Sequence, residues 1–307
     1  MTVALALQRD RPLAALTTLG LGGSAAHFVE AADRATLDEA LAWARTNELP
    51  VGILGGGSNL VVGDAGFAGL VVRIATHGIE LTRDERHATL TVQAGESWDD
   101  LVALTISEDL CGIECLSGIP GSVGATPIQN VGAYGQEISD VVLAVEVLDR
   151  STGATSWLLA SECEFGYRES RFKRDPSRFV VLAVRLKLNI GQPQVPRYSE
   201  LARTLAVRSA TPTLRDIQQA VRSLRANKGM LIEPGWQRIT FPGPLPWELV
   251  GFLADVAARL AQARIPFTSM SGFTTDHVLV RCAQAEVALA VLRGEPAPDL
   301  RPNVINP

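Results

Sequence analysis

Two glycine-rich strings constrain this chain more than any other feature: Leu54-Gly-Gly-Gly-Ser-Asn59 and Ile119-Pro-Gly-Ser-Val-Gly-Ala-Thr-Pro-Ile-Gln-Asn-Val-Gly-Ala-Tyr-Gly135. A glycine run leaves backbone N–H groups uncovered and lets a loop curl around an anion, so that consecutive amides replace the water around a diphosphate. Gly55, Gly56 and Gly57 supply that freedom in the first string, and Ser58 and Asn59 add side-chain donors or acceptors. The second string holds Gly121, Ser122 and Gly124 among prolines, Gln129 and Asn130, a mixture too irregular for a helix or strand. Loops this dense in special residues usually carry function. Taken alone, the first string also fits a tight turn between two buried strands.

At 307 residues the chain is long enough for two or three domains, each with its own core. Its 47% hydrophobic and 20% charged residues are those of a soluble globular protein. A net charge of −5 implies no basic surface, so nucleic acid is not an expected partner. No apolar run approaches the roughly 18 residues that cross a bilayer, and residues 1–12 lack the order of a signal peptide, so the expectation is a cytoplasmic protein without a membrane partner. The four cysteines, Cys111, Cys115, Cys163 and Cys282, show no CxxC spacing, which argues against a zinc site.

The pattern along the chain predicts an α+β protein. Thr36-Leu-Asp-Glu39 resembles a capping box and predicts a helix start at Thr36, with Leu37, Ala40, Leu41 and Ala44 on one face. Val51–Leu54, Leu60–Val62 and Leu70–Ile74 read as strands, closing a first lobe at residues 1–76. From 77 to 190 strands dominate, at Ala88–Val92, Val141–Leu148 and Phe179–Leu188, interrupted by a helix from Ser97 with Trp98, Leu101, Leu104 and Thr105 at helical spacing. Residues 191–235 read as a linker and one amphipathic helix, opened by Thr213-Leu-Arg-Asp216 and striped by Leu214, Ile217, Val221 and Leu224. Residues 236–307 give a βαββα order: strand 236–241, helix 246–264, two strands within 265–282 and helix 283–293.

One further glycine string is a decoy. Gly20-Leu-Gly22-Gly-Ser-Ala25 fits the G-x-G-x-x-A dinucleotide fingerprint, yet His27–Glu30 after it is strand-like, and no strand–loop–helix unit surrounds it.

The two glycine strings, followed by Phe165-Gly-Tyr-Arg168, then Tyr198 and Lys228, resemble the UDP-N-acetylenolpyruvoylglucosamine reductase family over residues 17–230. The resemblance implies a two-part FAD-binding unit of the PCMH/VAO-like type, with FAD as cofactor and NADPH as electron donor. By motif it implies FAD contacts at Gly55, Gly56, Gly57, Ser58, Asn59, Gly121, Ser122 and Gly124. It implies substrate contacts at Tyr134, Tyr198 and Lys228, and a catalytic Arg168. A guanidinium stays charged at any working pH and offers a fork of donors, which suits an enolate or carboxylate beside a flavin. Read without its string, Arg168 also fits a surface ion pair with Glu169 or Asp175.

The family supplies a proton from a serine in a Gly-Ser-Phe-Phe string, assisted by a glutamate in a Glu-Pro-Glu context. This chain has neither: Ser271-Gly-Phe273 departs from the first, and Glu295-Pro-Ala297 has alanine in place of the second glutamate. The C-terminal part instead resembles an ACT-like small-molecule-binding module, which implies a homodimer through that domain. Three functions follow as expectations: a divergent FAD oxidoreductase acting on a small substrate, the family's own NADPH-dependent reaction with an unusual proton donor, and a flavin-binding amino-acid sensor.

Overall fold

The computed structural model describes residues 5–193, 198–206, 211–227, 236–241, 252–265, 267–271 and 276–295. The chain divides into two compact units, Met1–Leu231 and Ile232–Pro307.

In the first unit, β1 (Gln8–Pro12), β2 (Ser24–Ala31), β3 (Val51–Leu54) and β4 (Phe67–Ile74) form one sheet in the order β1-β2-β4-β3. β2 and β3 both run parallel to β4, and α1 (Arg34–Thr46) connects β2 to β3, burying Leu37, Ala40 and Ala44. The helix opens earlier than the expected Thr36. Asp33 is the N-cap, and its carboxylate accepts from the Thr36 N–H at 2.7 Å, which leaves Thr36 inside the first turn. The expected strand Leu60–Val62 is irregular chain instead; a turn closed by Gly66 N–H donating to the Gly63 carbonyl at 2.9 Å delays the strand until Phe67.

The second lobe of this unit runs through β5 (Ile79–Arg83), β6 (His87–Gln93), α2 (Trp98–Ser107), β7 (Leu110–Cys111) and the short hairpin β8 (Gly132–Ala133) and β9 (Gln136–Glu137). It continues with β10 (Val142–Asp149), β11 (Thr155–Leu159), the single turn α3 (Arg171–Arg174) and β12 (Phe179–Ile190). The antiparallel sheet has the order β11-β10-β12-β6-β5, with β7 paired to the end of β12. Ser97 caps α2 as its sequence suggests, accepting from Asp100 N–H at 3.4 Å. Of the residues expected at the inner spacing, Leu104 is instead 38% exposed, and Val102 and Ile106 are buried.

The two lobes share one continuous core. Val29, Leu37 and Leu70 of the first pack in the same cluster as Leu90, Trp98, Val145 and Leu186 of the second. Each such side chain contributes about 1.5–3 kcal/mol on burial. Trp98 is fully buried, and its indole N–H donates to the Leu116 carbonyl at 3.2 Å, so its one polar atom is satisfied.

Two helices cover the second lobe where one amphipathic helix was expected. α4 (Ser199–Ala206) and α5 (Leu214–Asn227) bury Leu201, Leu205, Ile217, Ala220 and Val221 around Cys115 and Tyr134. The Thr213–Asp216 capping box is reciprocal: Thr213 N–H donates to Asp216 Oδ2 at 2.9 Å, and Asp216 N–H donates to Thr213 Oγ1 at 3.2 Å.

The second unit has the expected βαββα order: β13 (Trp236–Phe241), α6 (Phe252–Gln262), β14 (Phe267–Ser271), β15 (Asp276–Arg281) and α7 (Ala285–Arg293). Its antiparallel sheet is ordered β13-β15-β14, and Ile239, Val256, Leu260, Val278, Val280 and Ala288 form its core. The expected helix start at residue 246 lies outside the described residues. Among the described residues no helix is long and apolar enough to cross a membrane.

Candidate functional site

The first glycine string begins where β3 ends. Gly57 has φ +65°, and a Cβ there would stand 1.9 Å from the Leu16 carbonyl oxygen, so only glycine fits. Its own carbonyl accepts from Thr18 N–H at 3.0 Å. The second string docks directly against the first. A Cβ on Gly56 would lie 2.7 Å from Gly121 Cα, one on Gly55 would lie 2.5 Å from Ser122 Oγ, and the Ser58 hydroxyl donates to the Pro120 carbonyl at 3.0 Å. Asn59 Nδ2 donates to Gln129 Oε1 at 3.2 Å, which adds a third tie.

What this arrangement leaves over is a set of donors. Among the described residues no backbone acceptor takes the N–H groups of Gly56, Gly57, Ser58, Asn59, Gly121 or Ser122. These residues, except Gly121, line a cleft of about 210 Å³ with an apolar floor from Ile53, Leu60, Ile119 and Ile128. Gly124 differs: its N–H donates to the Ala94 carbonyl at 2.9 Å, and a Cβ would meet Ala94 Cβ at 2.5 Å. Its amide is therefore engaged in joining the loop to β6 rather than facing the cleft.

The loop then carries the site toward Arg168. Asn130, 1% exposed with φ +44°, donates from Nδ2 to the Gly166 carbonyl at 3.0 Å and to Glu137 Oε2 at 2.8 Å, and its Oδ1 accepts from Ser139 N–H at 3.1 Å. The sequence marked Asn130 only as part of an irregular loop; a buried asparagine next to the Gly132–Gly135 turn is the signal that finds it. Gly166 and Glu169 exchange backbone hydrogen bonds of 3.0 and 3.1 Å, closing a tight turn with Arg168 at φ +54°. The guanidinium of Arg168 donates through Nη2 to the Gly132 carbonyl at 2.7 Å, so its partner is a carbonyl rather than Glu169 or Asp175.

Tyr134, 9% exposed with φ +50°, follows Gly132 by two residues and meets Tyr198 edge-on, with ring centroids 5.3 Å apart. The Gly132–Gly135 turn thus meets Arg168 through the Gly132 carbonyl and Tyr198 through the Tyr134 ring, and Lys228 lies outside the described residues. Sequence reading passed over Arg225, near the end of α5 and three positions before Lys228 in the sequence. Burial pushes its guanidinium pKa down, while Tyr134 and Asp99 pull it back up. Asp99 accepts from Gly118 N–H at 2.7 Å and pairs with Arg222. Beneath these, Glu114 is 2% exposed; its carboxylate accepts from Gly112 N–H at 2.6 Å and from Gln136 Nε2 at 3.0 Å. Burial first, and then Glu114, push the Cys115 thiol up, so it stays neutral. Among the described residues no cluster of His, Cys, Asp or Glu is arranged to hold a metal ion.

Comparison with known proteins decides the family. The UDP-N-acetylenolpyruvoylglucosamine reductase of Streptomyces coelicolor is 45% identical over 267 residues, covering 84% of this chain and 69% of that protein. The chain belongs to the UDP-N-acetylenolpyruvoylglucosamine reductase family. The reductase of Streptomyces avermitilis is 44% identical over the same length, covering 84% of this chain and 72% of its own. The crystal structure of the reductase from Thermus caldophilus superposes with a TM-score of 0.58 at 26% identity, over 94% of this chain and 93% of that one. The family model for an FAD binding domain matches residues 25–158, and that for an ACT domain matches residues 231–294. As a member of this reductase family, the chain is an FAD-dependent oxidoreductase with the two-part FAD-binding fold and a C-terminal ACT domain.

Both glycine strings fall inside the matched FAD domain, and their unpaired amides are the chemistry that a diphosphate requires. The cradle cannot tolerate a Cβ at Gly56 or Gly57 without moving backbone. The residues present fit the cofactor.

Proposed function

We propose that Gly56, Gly57, Ser58, Asn59, Gly121 and Ser122 hold the FAD diphosphate through main-chain N–H groups. In this reading Gly55 and Gly124 set the spacing that keeps those groups together. The supporting observation is the set of unpaired amides on two interlocked loops around one cleft. FAD supplies the two-electron redox chemistry, and the protein supplies orientation and local charge.

Arg168 is the electrostatic anchor. Held by the Gly132 carbonyl on one nitrogen, its guanidinium has further donors for a carboxylate or a developing enolate oxygen. Tyr134 and Tyr198 wall the substrate, and Lys228 supplies a cation to an anionic group on it. NADPH is the electron donor. The chain is a divergent member of its family, because the serine and glutamate that manage the family's proton have no counterpart in its strings. It therefore acts on a small substrate other than UDP-N-acetylenolpyruvoylglucosamine.

Purified full-length protein loaded with FAD is the test. It is expected to be yellow, to oxidise NADPH, and to turn over UDP-N-acetylenolpyruvoylglucosamine about 10²–10⁴-fold more slowly than the Streptomyces coelicolor enzyme, the factor a lost general acid removes. Equal turnover would overturn the divergence and favour an unusual proton donor; a colourless protein that takes up no FAD would overturn the whole reading. With the true substrate, Arg168→Ala should retain FAD and lose about 10²–10³ in kcat.

A second reading draws on the ACT domain match at residues 231–294: the C-terminal unit binds an amino acid across a homodimer. A thermal shift with one amino acid and a dimer by sedimentation would support it, and no shift with any of them would remove it.

A further inference from the structure

A second cavity, of about 420 Å³, lies away from the glycine cleft and shares no lining residue with it. It opens beside Val51, at the start of β3, whereas the glycine strings follow the end of that strand. α1 forms one wall and the β10–β11 turn the other, so both lobes of the first unit contribute.

Three arginines and one acid face this space. Asp38 is engaged by Arg34, whose Nε donates to both carboxylate oxygens at 2.8 Å, and Arg34 Nη1 reaches across the lobes to Thr155 Oγ1 at 2.5 Å. That pair is neutral. Arg45 and Arg150 remain, and among the described residues neither has a carboxylate within ion-pair distance. The acid next to Arg150 in sequence, Asp149, is taken by Arg178 at 2.8 Å and by Ser151. The side chain of Arg150 is half-buried, and burial alone pushes its guanidinium pKa down. A half-buried cation without a counter-charge is a standing cost that an anion would remove.

We propose that this cavity binds a small organic phosphate of nucleoside-monophosphate size. Planar guanidinium forks match phosphate oxygens, and the exposed Arg45 and the half-buried Arg150 line the cavity from opposite lobes. Leu41 and Leu148 give the cavity apolar surface that a bare phosphate would leave uncovered. The volume falls in the roughly 300–1,000 Å³ range of small-molecule sites.

The test is calorimetric titration of AMP into the full chain saturated with FAD, so that the glycine cleft is filled. One additional site is expected, weakening with added salt. Arg150→Gln should raise its Kd about tenfold and Arg45→Gln several-fold, with the double variant showing no binding and every variant keeping its FAD content and unfolding midpoint. Inorganic phosphate should bind at least about tenfold more weakly than AMP. The proposal is overturned if AMP does not bind, if both variants bind it as the unaltered chain does, or if inorganic phosphate binds equally well. Failure of FAD uptake leaves this test intact, because the arginine variants separate this cavity from the cleft.

Discussion

Two glycine-rich segments of the same lobe are put to opposite uses. In Gly20–Gly23 the two end amides are engaged within the protein: Gly20 N–H donates to the Thr17 carbonyl at 3.0 Å and Gly23 N–H to the Gly63 carbonyl at 2.9 Å, while the Gly23 carbonyl accepts from Leu13 N–H at 3.2 Å; only the Leu21 and Gly22 amides have no backbone acceptor among the described residues. In Gly56–Asn59 no N–H has a backbone partner among the described residues. Yet it is Gly20–Ala25 that spells the dinucleotide fingerprint. The letters of a motif do not make an anion site; what makes one is whether the fold has already used the amides.

The contrast breaks most sharply at Gly23. A Cβ there would lie 2.2 Å from the Asp64 carbonyl oxygen and 2.5 Å from Gly66 N, so Gly23→Val should lower unfolding stability by about 3 kcal/mol or more, read from the urea midpoint. An unchanged midpoint would mean that this segment is not closely packed.

Gly56→Ala sharpens the other side. Its Cβ would push Gly121 and Ser122 away, and FAD should bind roughly 10- to 100-fold more weakly, with a smaller loss in the flavin-free midpoint. Unaltered affinity would remove Gly56 from the cradle.

The smallest effect concerns the packed interior of the second lobe. Cys163 is fully buried, and desolvation raises its thiol to about 12. The unfolded thiol ionises near pH ~8.5, so the stability linked to this group is complete below that pH and declines as pH rises toward 12. Cys163→Ala should therefore flatten the fall in unfolding free energy between pH 8 and pH 10 by about 1–2 kcal/mol. A thiol reagent should label Cys163 only after unfolding; labelling of the native protein at the unfolded rate would show that the interior is open.

The parts of the fold that the sequence revealed are those whose cause is local. Ser97 caps α2 and Thr213 caps α5 because a hydroxyl three residues before an N–H reaches it whatever the rest of the chain does. The largely buried strands β10 and β12 show as apolar runs, and so does the half-buried edge strand β3. Strands β1 and β5 are mostly or wholly exposed sheet edges, and they carry no apolar alternation to read. Asp33 was passed over at α1 because Thr36 and Glu39 imitate a capping box one turn later. Within the site, the order of the strings identified the loops, but which amides stay open depends on partners far along the chain. Gly124 loses its N–H to Ala94, and Arg168 finds Gly132, a carbonyl that nothing in the FGYR string announces.

β12 is the last strand of its lobe in the chain and the middle one in space, pairing with both β10 and β6. During synthesis the ribosome must therefore release residue 190 before β6 and β10 gain the neighbour that joins them. Until then two half-sheets wait with open edges, a window in which a holdase chaperone would find this polypeptide.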